Sequence, residues 1–167
     1  MTRALFIDTS HWEGVINPTP LIARGINLAI FKLTESTWYI DDKFIINATA
    51  WLRAGGQVGA YHFFRPGQDC LRQAAFFLDV LEGTGLQKEI SLVMNDMEVT
   101  DGVSPATRIP AWVERWNVAV MEETKLPLWL YSAKWFFDQM KTALTPLLKY
   151  DLVTASYYWD SKNPFDQ

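Results

Sequence analysis

Two carboxylic acids, Asp96 and Glu98, follow directly after an apolar run at residues 90–94 that is typical of a buried strand. Side chains at i and i+2 of a strand point to the same face, so both acids project from one strand end. Two close carboxylates repel each other as anions, which raises one pKa and lets that group hold a proton near neutrality. A protonated acid beside an ionised partner is the arrangement that hydrolyses glycosidic bonds. The competing interpretation is two loop acids that face water.

Strand-like apolar runs alternate along the chain with segments of helical spacing. The predicted strands are residues 4–8, 28–33, 58–63, 90–96, 128–131 and 152–157. The predicted helices lie around residues 44–52, 71–78, 109–120 and 135–148, the last as one or two short helices. This alternation predicts an α/β fold built on a parallel sheet.

Polar side chains of the kinds used in catalysis cluster at the carboxyl ends of these strands. They are Asp8, Glu35, His62, Asp96, Glu98, Tyr131 and Tyr157. This clustering is typical of a (β/α) barrel, whose active site lies at that face. A doubly wound open sheet is the alternative. Against it, no glycine-rich phosphate loop follows the first strand, and the sequence contains no G-x-x-x-x-G-K-[ST] motif.

The composition favours one domain over residues 1–167 and excludes several classes of partner. The chain is 49% hydrophobic with eight tryptophans, which is enough for a large core. Its net charge is −4 without a basic stripe, so we expect no nucleic-acid partner. The single cysteine, Cys70, excludes an intrachain disulfide and a cysteine-built metal site. Because no stretch is typical of a membrane span or a signal peptide, we expect a protein that is cytoplasmic when synthesised and has no membrane partner.

Several segments resemble, in order, the motifs of glycoside hydrolase family 25, the barrel-fold muramidases. Residues 7–14, IDTSHWEG, resemble the family's opening IDVSHWQG, and residues 31–36, FKLTES, resemble IKATEG. Residues 54–63, AGGQVGAYHF, resemble AGLPVGAYHF, and Asp96-Met97-Glu98 matches the D-x-E of the fourth strand. Residues 130–132 and 155–157 resemble the later YT and A-x-Y strands. Together these matches extend from residue 7 to about residue 158.

The resemblance implies a modified TIM-like barrel with an incomplete set of helices. It implies cleavage of the β-1,4 bond between N-acetylmuramic acid and N-acetylglucosamine in bacterial peptidoglycan, on the cell wall after release, with no metal or cofactor. Carried over by motif, Glu98 is the general acid, Asp96 acts on the acetamido group of the sugar, and Asp8 completes the acidic cluster. Tyr61, Tyr131 and Tyr157 line the sugar subsite. Attack by the acetamido oxygen, by an aspartate or by water all remain open.

The C-terminal region departs from the family pattern. Family members continue past the A-x-Y strand to an aromatic strand and a further aspartate, and neither has a match here. We therefore expect a barrel whose last strand is missing, closed by a second copy or an additional chain, or a shortened variant in which Asp160 or Asp166 replaces the aspartate. The alternative functions are a catalytically impaired wall-binding or structural module of the same fold, and a related chitin-cleaving hexosaminidase.

Three further residues have competing interpretations. His11 and His62 are the only histidines, and their spacing does not indicate a metal site. We expect His62, at a strand end beside Tyr61, to bind substrate by hydrogen bonding inside the cleft rather than to act as a catalytic base. Glu35 is a candidate substrate-binding residue that pairs with Lys32 or Arg65 to hold the floor of the site, and a purely structural ion pair is the interpretation we favour.

Overall fold

The chain alternates strands and helices as its apolar pattern predicts. The computed structural model describes residues 5–104 and 108–155. The strands are β1 (Phe6–Thr9), β2 (Leu28–Glu35), β3 (Tyr39–Ile40), β4 (Gln57–Phe63), β5 (Ile90–Asp96), β6 (Leu128–Ala133) and β7 (Asp151–Ala155). The α-helices are α1 (Thr19–Ile22), α2 (Phe44–Arg53), α3 (Cys70–Gly83), α4 (Ile109–Thr124) and α5 (Lys134–Met140). Two 3₁₀ helices span His11–Glu13 and Lys141–Leu147.

Six of the strands form one curled parallel sheet in the order β1-β2-β4-β5-β6-β7, and β3 turns back antiparallel against β2. Strands β1 and β7 form its two edges, and no described strand joins them. The fold is therefore a modified TIM-like barrel with a missing strand, as the sequence predicts. Closure by a second copy or an additional chain stays a prediction.

The two faces of the sheet bury different sets of side chains. The helix-facing side packs against a large core that includes Trp51, Phe77 and Trp116. The inner face carries a smaller cluster of four buried residues: Ile30, Tyr61, Leu92 and Met94. Because side chains alternate along a strand, β1, β2, β4, β5 and β6 each contribute to both clusters, and their inner-face positions lead to the carboxyl end of the sheet.

Local sequence signals account for where the main helices begin and end. Helix α2 gives way to Gly55 at φ +86°, a left-handed conformation that glycine adopts without strain. Asp69 caps α3 by accepting hydrogen bonds from the N–H groups of Leu71 and Arg72. Helix α4 carries a proline in its first turn, Pro110, where the missing N–H costs no hydrogen bond.

Several short elements escaped the sequence analysis because they are too short to show a hydrophobic period. These are β3, α1 and the 3₁₀ turn at His11–Glu13. The predicted strand at residues 152–157 corresponds to β7 as far as Ala155, and the rest lies outside the described residues. Within residues 5–104 and 108–155, every helix is too short or too polar to cross a lipid bilayer.

Candidate active site

Five polar side chains project from the inner face at the carboxyl ends of neighbouring strands. Asp8 comes from β1, Lys32 from β2, Tyr61 from β4, Asp96 from β5 and Tyr131 from β6. The register pairs Lys32 with Tyr61 and Asp96 with Tyr131 across adjacent strands. The parallel arrangement therefore gathers residues that are far apart in sequence, among them Asp8, Asp96 and Tyr131 of the predicted cluster.

Asp96 is a deeply buried carboxyl group, with only 6% of its surface exposed. Its Oδ1 atom has no hydrogen-bond partner within the described part of the chain. Burial raises the pKa of Asp96 well above its usual range, and repulsion from Glu98 raises it further, although the positive charge of Lys32 acts in the opposite direction. Asp96 can therefore hold a proton at a pH where an exposed aspartate is ionised.

Glu98 and Asp8 extend the acidic cluster towards solvent. Glu98 is half-buried, and its pKa is raised by burial and then by repulsion from Asp8. The pKa of Asp8 is also raised, by partial burial of its carboxyl and to a smaller extent by Glu13, although the residue as a whole is exposed.

The alternation of side chains continues past the end of β5. Met97 is buried in the helix-facing core, which leaves Asp96 and Glu98 together on the inner side. The raised pKa of Glu98 follows from partial burial, as expected, but the charge that adds to it is that of Asp8 and not that of Asp96. The repulsion within the pair instead raises the pKa of the more deeply buried Asp96.

A network of ion pairs crosses the floor of the site. Glu35 accepts from Lys32 Nζ at 2.6 Å and lies 3.4 Å from Arg65 Nη1. Arg65 Nη2 in turn pairs with Asp101 Oδ1 at 2.7 Å. Glu35 thus contacts both cations that the sequence analysis offered as alternatives, and the network ties the end of β2 to the loop after β4.

Lys32 is a buried cation beside the acidic cluster. It is 7% exposed, and its Nζ atom lies 4.8 Å from the centre of the Phe63 ring and 5.3 Å from that of Tyr39. Sequence reasoning named it only as a partner for Glu35. The available signal was the single lysine in the predicted apolar strand at residues 28–33. A cation buried in such a strand requires acids paired with it, so the lysine indicates a nearby carboxylate.

His62 faces away from the cleft, which corrects the expectation that it binds substrate. Its side chain is fully buried on the helix-facing side, stacked on Trp116 with ring centres 5.1 Å apart. Thr34 Oγ1 lies 2.8 Å from Nδ1, and Gln73 Oε1 lies 3.1 Å from Nε2. Burial lowers the pKa of His62 to about 3, so the ring is neutral. Consecutive strand residues alternate faces, and Tyr61 already occupies the inner one.

The Gln73 side chain fixes the tautomer of His62 and the loop that follows β4. Gln73 Nε2 donates to the carbonyl oxygens of Arg65 at 2.9 Å and Gln68 at 3.3 Å, while its Oε1 accepts from the N–H of Arg65 at 2.9 Å. Because the amide oxygen therefore faces His62, Nε2 carries the ring proton and Nδ1 accepts from the Thr34 hydroxyl. This buried network holds the backbone of Arg65.

The predicted tyrosines fall into two groups. Tyr61 is nearly buried on the inner face, beside the Ser10 side chain. Burial and the nearby charge of Asp96 raise its pKa, so its hydroxyl stays protonated. Tyr131 is half-buried on the same face, in register with Asp96. Tyr157 lies outside the described residues.

Known proteins share the sequence pattern and the fold of this chain. A family model for the glycosyl hydrolases of family 25 matches residues 7–166. The chain belongs to this family. A curated relative, Lysozyme M1 of Streptomyces globisporus, is 30% identical over 139 residues, which cover 78% of this chain and 47% of the relative. The family-25 chain therefore spans about half the length of that relative.

Solved structures share the fold of this family-25 chain. The catalytic domain of an endolysin from bacteriophage P40 of Listeria monocytogenes aligns with a TM-score of 0.77 and 20% identity, over 95% of this chain and 76% of that one. The modular Cpl-1 endolysin, in complex with a peptidoglycan analogue, aligns with a TM-score of 0.72 and 22% identity, over 95% of this chain and 45% of that one.

The structure of this family-25 chain adds a buried polar contact beside the site that sequence reasoning missed. His11 Nδ1 donates to Asp41 Oδ2 at 2.9 Å, the backbone N–H of His11 donates to the same oxygen at 2.9 Å, and the Tyr39 hydroxyl lies 2.9 Å from the ring nitrogen. No short motif signals this contact, because the partners lie about thirty residues apart. It anchors the turn after β1 to the β2–β3 hairpin.

No group of three or more metal-ligating side chains occurs among residues 5–104 and 108–155 of this family-25 chain. His11 hydrogen-bonds Asp41, and His62 lies inside the helix-facing core.

Proposed function

We propose that this chain is a muramidase that hydrolyses the β-1,4 bond between N-acetylmuramic acid and N-acetylglucosamine in peptidoglycan. The observation that carries the proposal is the acidic cluster of Asp8, Asp96 and Glu98, whose pKa values are all raised at one end of the sheet. Membership of a glycosyl hydrolase family supports it, as do the names of the lysozyme and endolysin relatives.

We assign the proton transfer to Glu98. It is half-buried, so its carboxyl can reach a bound sugar, and its raised pKa lets it keep a proton to a higher pH than an exposed glutamate would. In the first step this proton passes to the glycosidic oxygen as the bond to the anomeric carbon breaks. The resulting carboxylate then accepts a proton from the water that supplies the new hydroxyl group, which restores the acid.

The two aspartates manage the charge and orientation of the sugar. Asp96 orients the acetamido group of the sugar beside the anomeric carbon. Asp8 adds negative charge that stabilises the oxocarbenium-like transition state. Tyr61 and Tyr131, with Tyr157 from the predicted motif, line the sugar subsite, and Glu35 acts by holding Lys32 and Arg65.

The test measures new reducing ends released from purified peptidoglycan by the unaltered chain and by Glu98→Gln. We expect Glu98→Gln to lose about 10²- to 10⁴-fold in rate, because it removes the proton donor while keeping the shape. Glu82→Gln, on the exposed side of α3, is the matched control and should keep full activity. Equal rates for Glu98→Gln and the unaltered chain would contradict the assignment of Glu98 as the proton donor.

The products separate the remaining alternatives. Muramic acid at the new reducing ends identifies the proposed bond, whereas glucosamine there identifies a glucosaminidase. Binding of peptidoglycan without any release of reducing ends by the unaltered chain would favour a wall-binding module and would contradict the enzymatic proposal.

A further inference from the structure

Four ring side chains form a continuous aromatic strip on the rim beside the acidic cluster. In spatial order they are Trp12, His11, Tyr39 and Trp38. The ring centres of successive members lie 4.6, 5.7 and 6.0 Å apart. The strip joins the turn after β1 to the β2–β3 hairpin, so it spans two loops at the carboxyl end of the sheet.

The two ends of the strip are exposed in a way that packing does not explain. Trp12 is 83% exposed and Trp38 is 69% exposed, whereas Trp51 and Trp116 are buried in the helix-facing core. Exposed tryptophan leaves a large apolar surface in water, and a contiguous exposed aromatic surface usually marks a binding site.

The strip is held rigidly although its faces are open. The buried carboxylate of Asp41 accepts from the backbone and ring of His11 and from the backbone of Lys43, each at 2.9 Å. Ser10 and Glu13 form a capping box around the turn that carries Trp12. A rigid surface loses little conformational entropy when a ligand stacks on it, so this order favours binding.

The strip is continuous with the candidate active site. Tyr39, in its middle, covers the ammonium group of Lys32, which influences the pKa of Asp96. Ser10, which precedes the strip in the chain, lies beside Tyr61 on the inner face. A polymer bound at the carboxylates can therefore continue over the strip without leaving the protein surface.

We propose that this aromatic strip is an additional carbohydrate-binding site that stacks N-acetylhexosamine units of the glycan strand remote from the cleaved bond. Pyranose rings present apolar C–H faces that pack on aromatic rings, while their polar edges stay hydrated. The inference rests on the proposed function, because it takes the ligand to be the same glycan polymer. On this proposal the strip contributes to the binding of long glycan strands and not to the chemical step.

The test compares the double variant Trp12→Ala/Trp38→Ala with Trp135→Ala, which removes another exposed tryptophan outside the strip. For each protein, kcat/KM is measured on polymeric peptidoglycan and on the shortest oligosaccharide that the unaltered chain cleaves. We expect the double variant to lose about threefold to tenfold per ring on the polymer and to stay within about twofold on the short substrate. Thermal melts confirm folding, which these exposed positions should not affect.

Three results would contradict the binding role of the strip while leaving the muramidase proposal intact. They are equal losses of kcat/KM on both substrates, no loss on the polymer, and an equal loss in Trp135→Ala. If the unaltered chain cleaves nothing, the muramidase proposal fails by itself. Binding of the N-acetylglucosamine hexamer, measured by calorimetry, then tests whether the strip binds carbohydrate. Weaker binding by the double variant than by the unaltered chain supports the proposal. Equal binding by the two proteins refutes it, and so does the absence of detectable binding by the unaltered chain.

Discussion

Gln73 offers the sharpest test of how the fold holds its site in place. The substitution Gln73→Ala removes an amide that is fully buried and makes four hydrogen bonds, to His62, Arg65 and Gln68. The N–H of His62 Nε2 then loses its partner in a place that water does not reach, and two backbone groups of Arg65 lose theirs in a partly buried loop.

The expected cost follows from those orphaned groups. A buried donor left without a partner costs about 1–3 kcal/mol, and the two partly buried backbone groups add about 1 kcal/mol together because water replaces part of each bond. The vacated volume adds about 1 kcal/mol. The free energy of unfolding should therefore fall by about 3–5 kcal/mol, which corresponds to a decrease in Tm of about 10 °C.

Urea unfolding of the unaltered chain and of Gln73→Ala, followed by tryptophan fluorescence, measures this difference. Gln68→Ala is the matched control, because Gln68 is exposed in the same loop and contributes only its backbone carbonyl to the network. A loss below about 1 kcal/mol in Gln73→Ala, or an equal loss in Gln68→Ala, would refute the reasoning.

Two further outcomes depend on the charges around Asp96. Its raised pKa means that the native state keeps a proton which the unfolded chain releases, so stability is full below about pH 3.9 and falls as the pH rises through the raised value. Asp96→Asn should therefore raise Tm at neutral pH but not in acid. The exposed control Asp138→Asn should not raise Tm at either pH. Equal Tm values for Asp96→Asn and the unaltered chain at neutral pH would contradict this. Lys32→Met removes the charge that lowers the pKa of Asp96, so the acidic limb of the kcat/KM profile should move to higher pH. An unmoved limb, or the same movement in the exposed control Lys134→Met, would show that Lys32 does not act on the site.

The sheet and its carboxylates could be predicted because their signals are local. The apolar run before Asp96 marks a strand, and the i, i+2 rule places Glu98 beside it without knowledge of any other element. The same rule, applied to Tyr61 and His62, requires that one of the two face the helices. Proximity in sequence was wrongly treated as proximity in the cleft, and the prediction for His62 failed for that reason.

Other features depend on contacts that only the folded chain creates. The contact of His11 with Asp41 joins residues 30 positions apart, and the network around His62 reaches 28 positions back to Thr34 and 11 forward to Gln73. Neither has a periodicity or a short motif. Lys32 did leave a signal, a cation within a buried strand, but its meaning depends on which acids the neighbouring strands supply.

The order of the strands in the sheet has a consequence for how the molecule assembles. Each parallel strand pairs with the one that precedes it along the chain, apart from the small β3 hairpin, so the sheet grows at one edge only. During synthesis, β1, β2, β4 and β5 can pair in turn as they emerge, with loop closures no longer than one connecting helix. These strands bring the residues of the candidate site together before β6 is synthesised. The residues are Asp8, Lys32, Tyr61, Asp96 and Glu98. Until β6 arrives, Asp96 lies on the growing edge strand, β5, where an unpaired strand invites pairing with other chains.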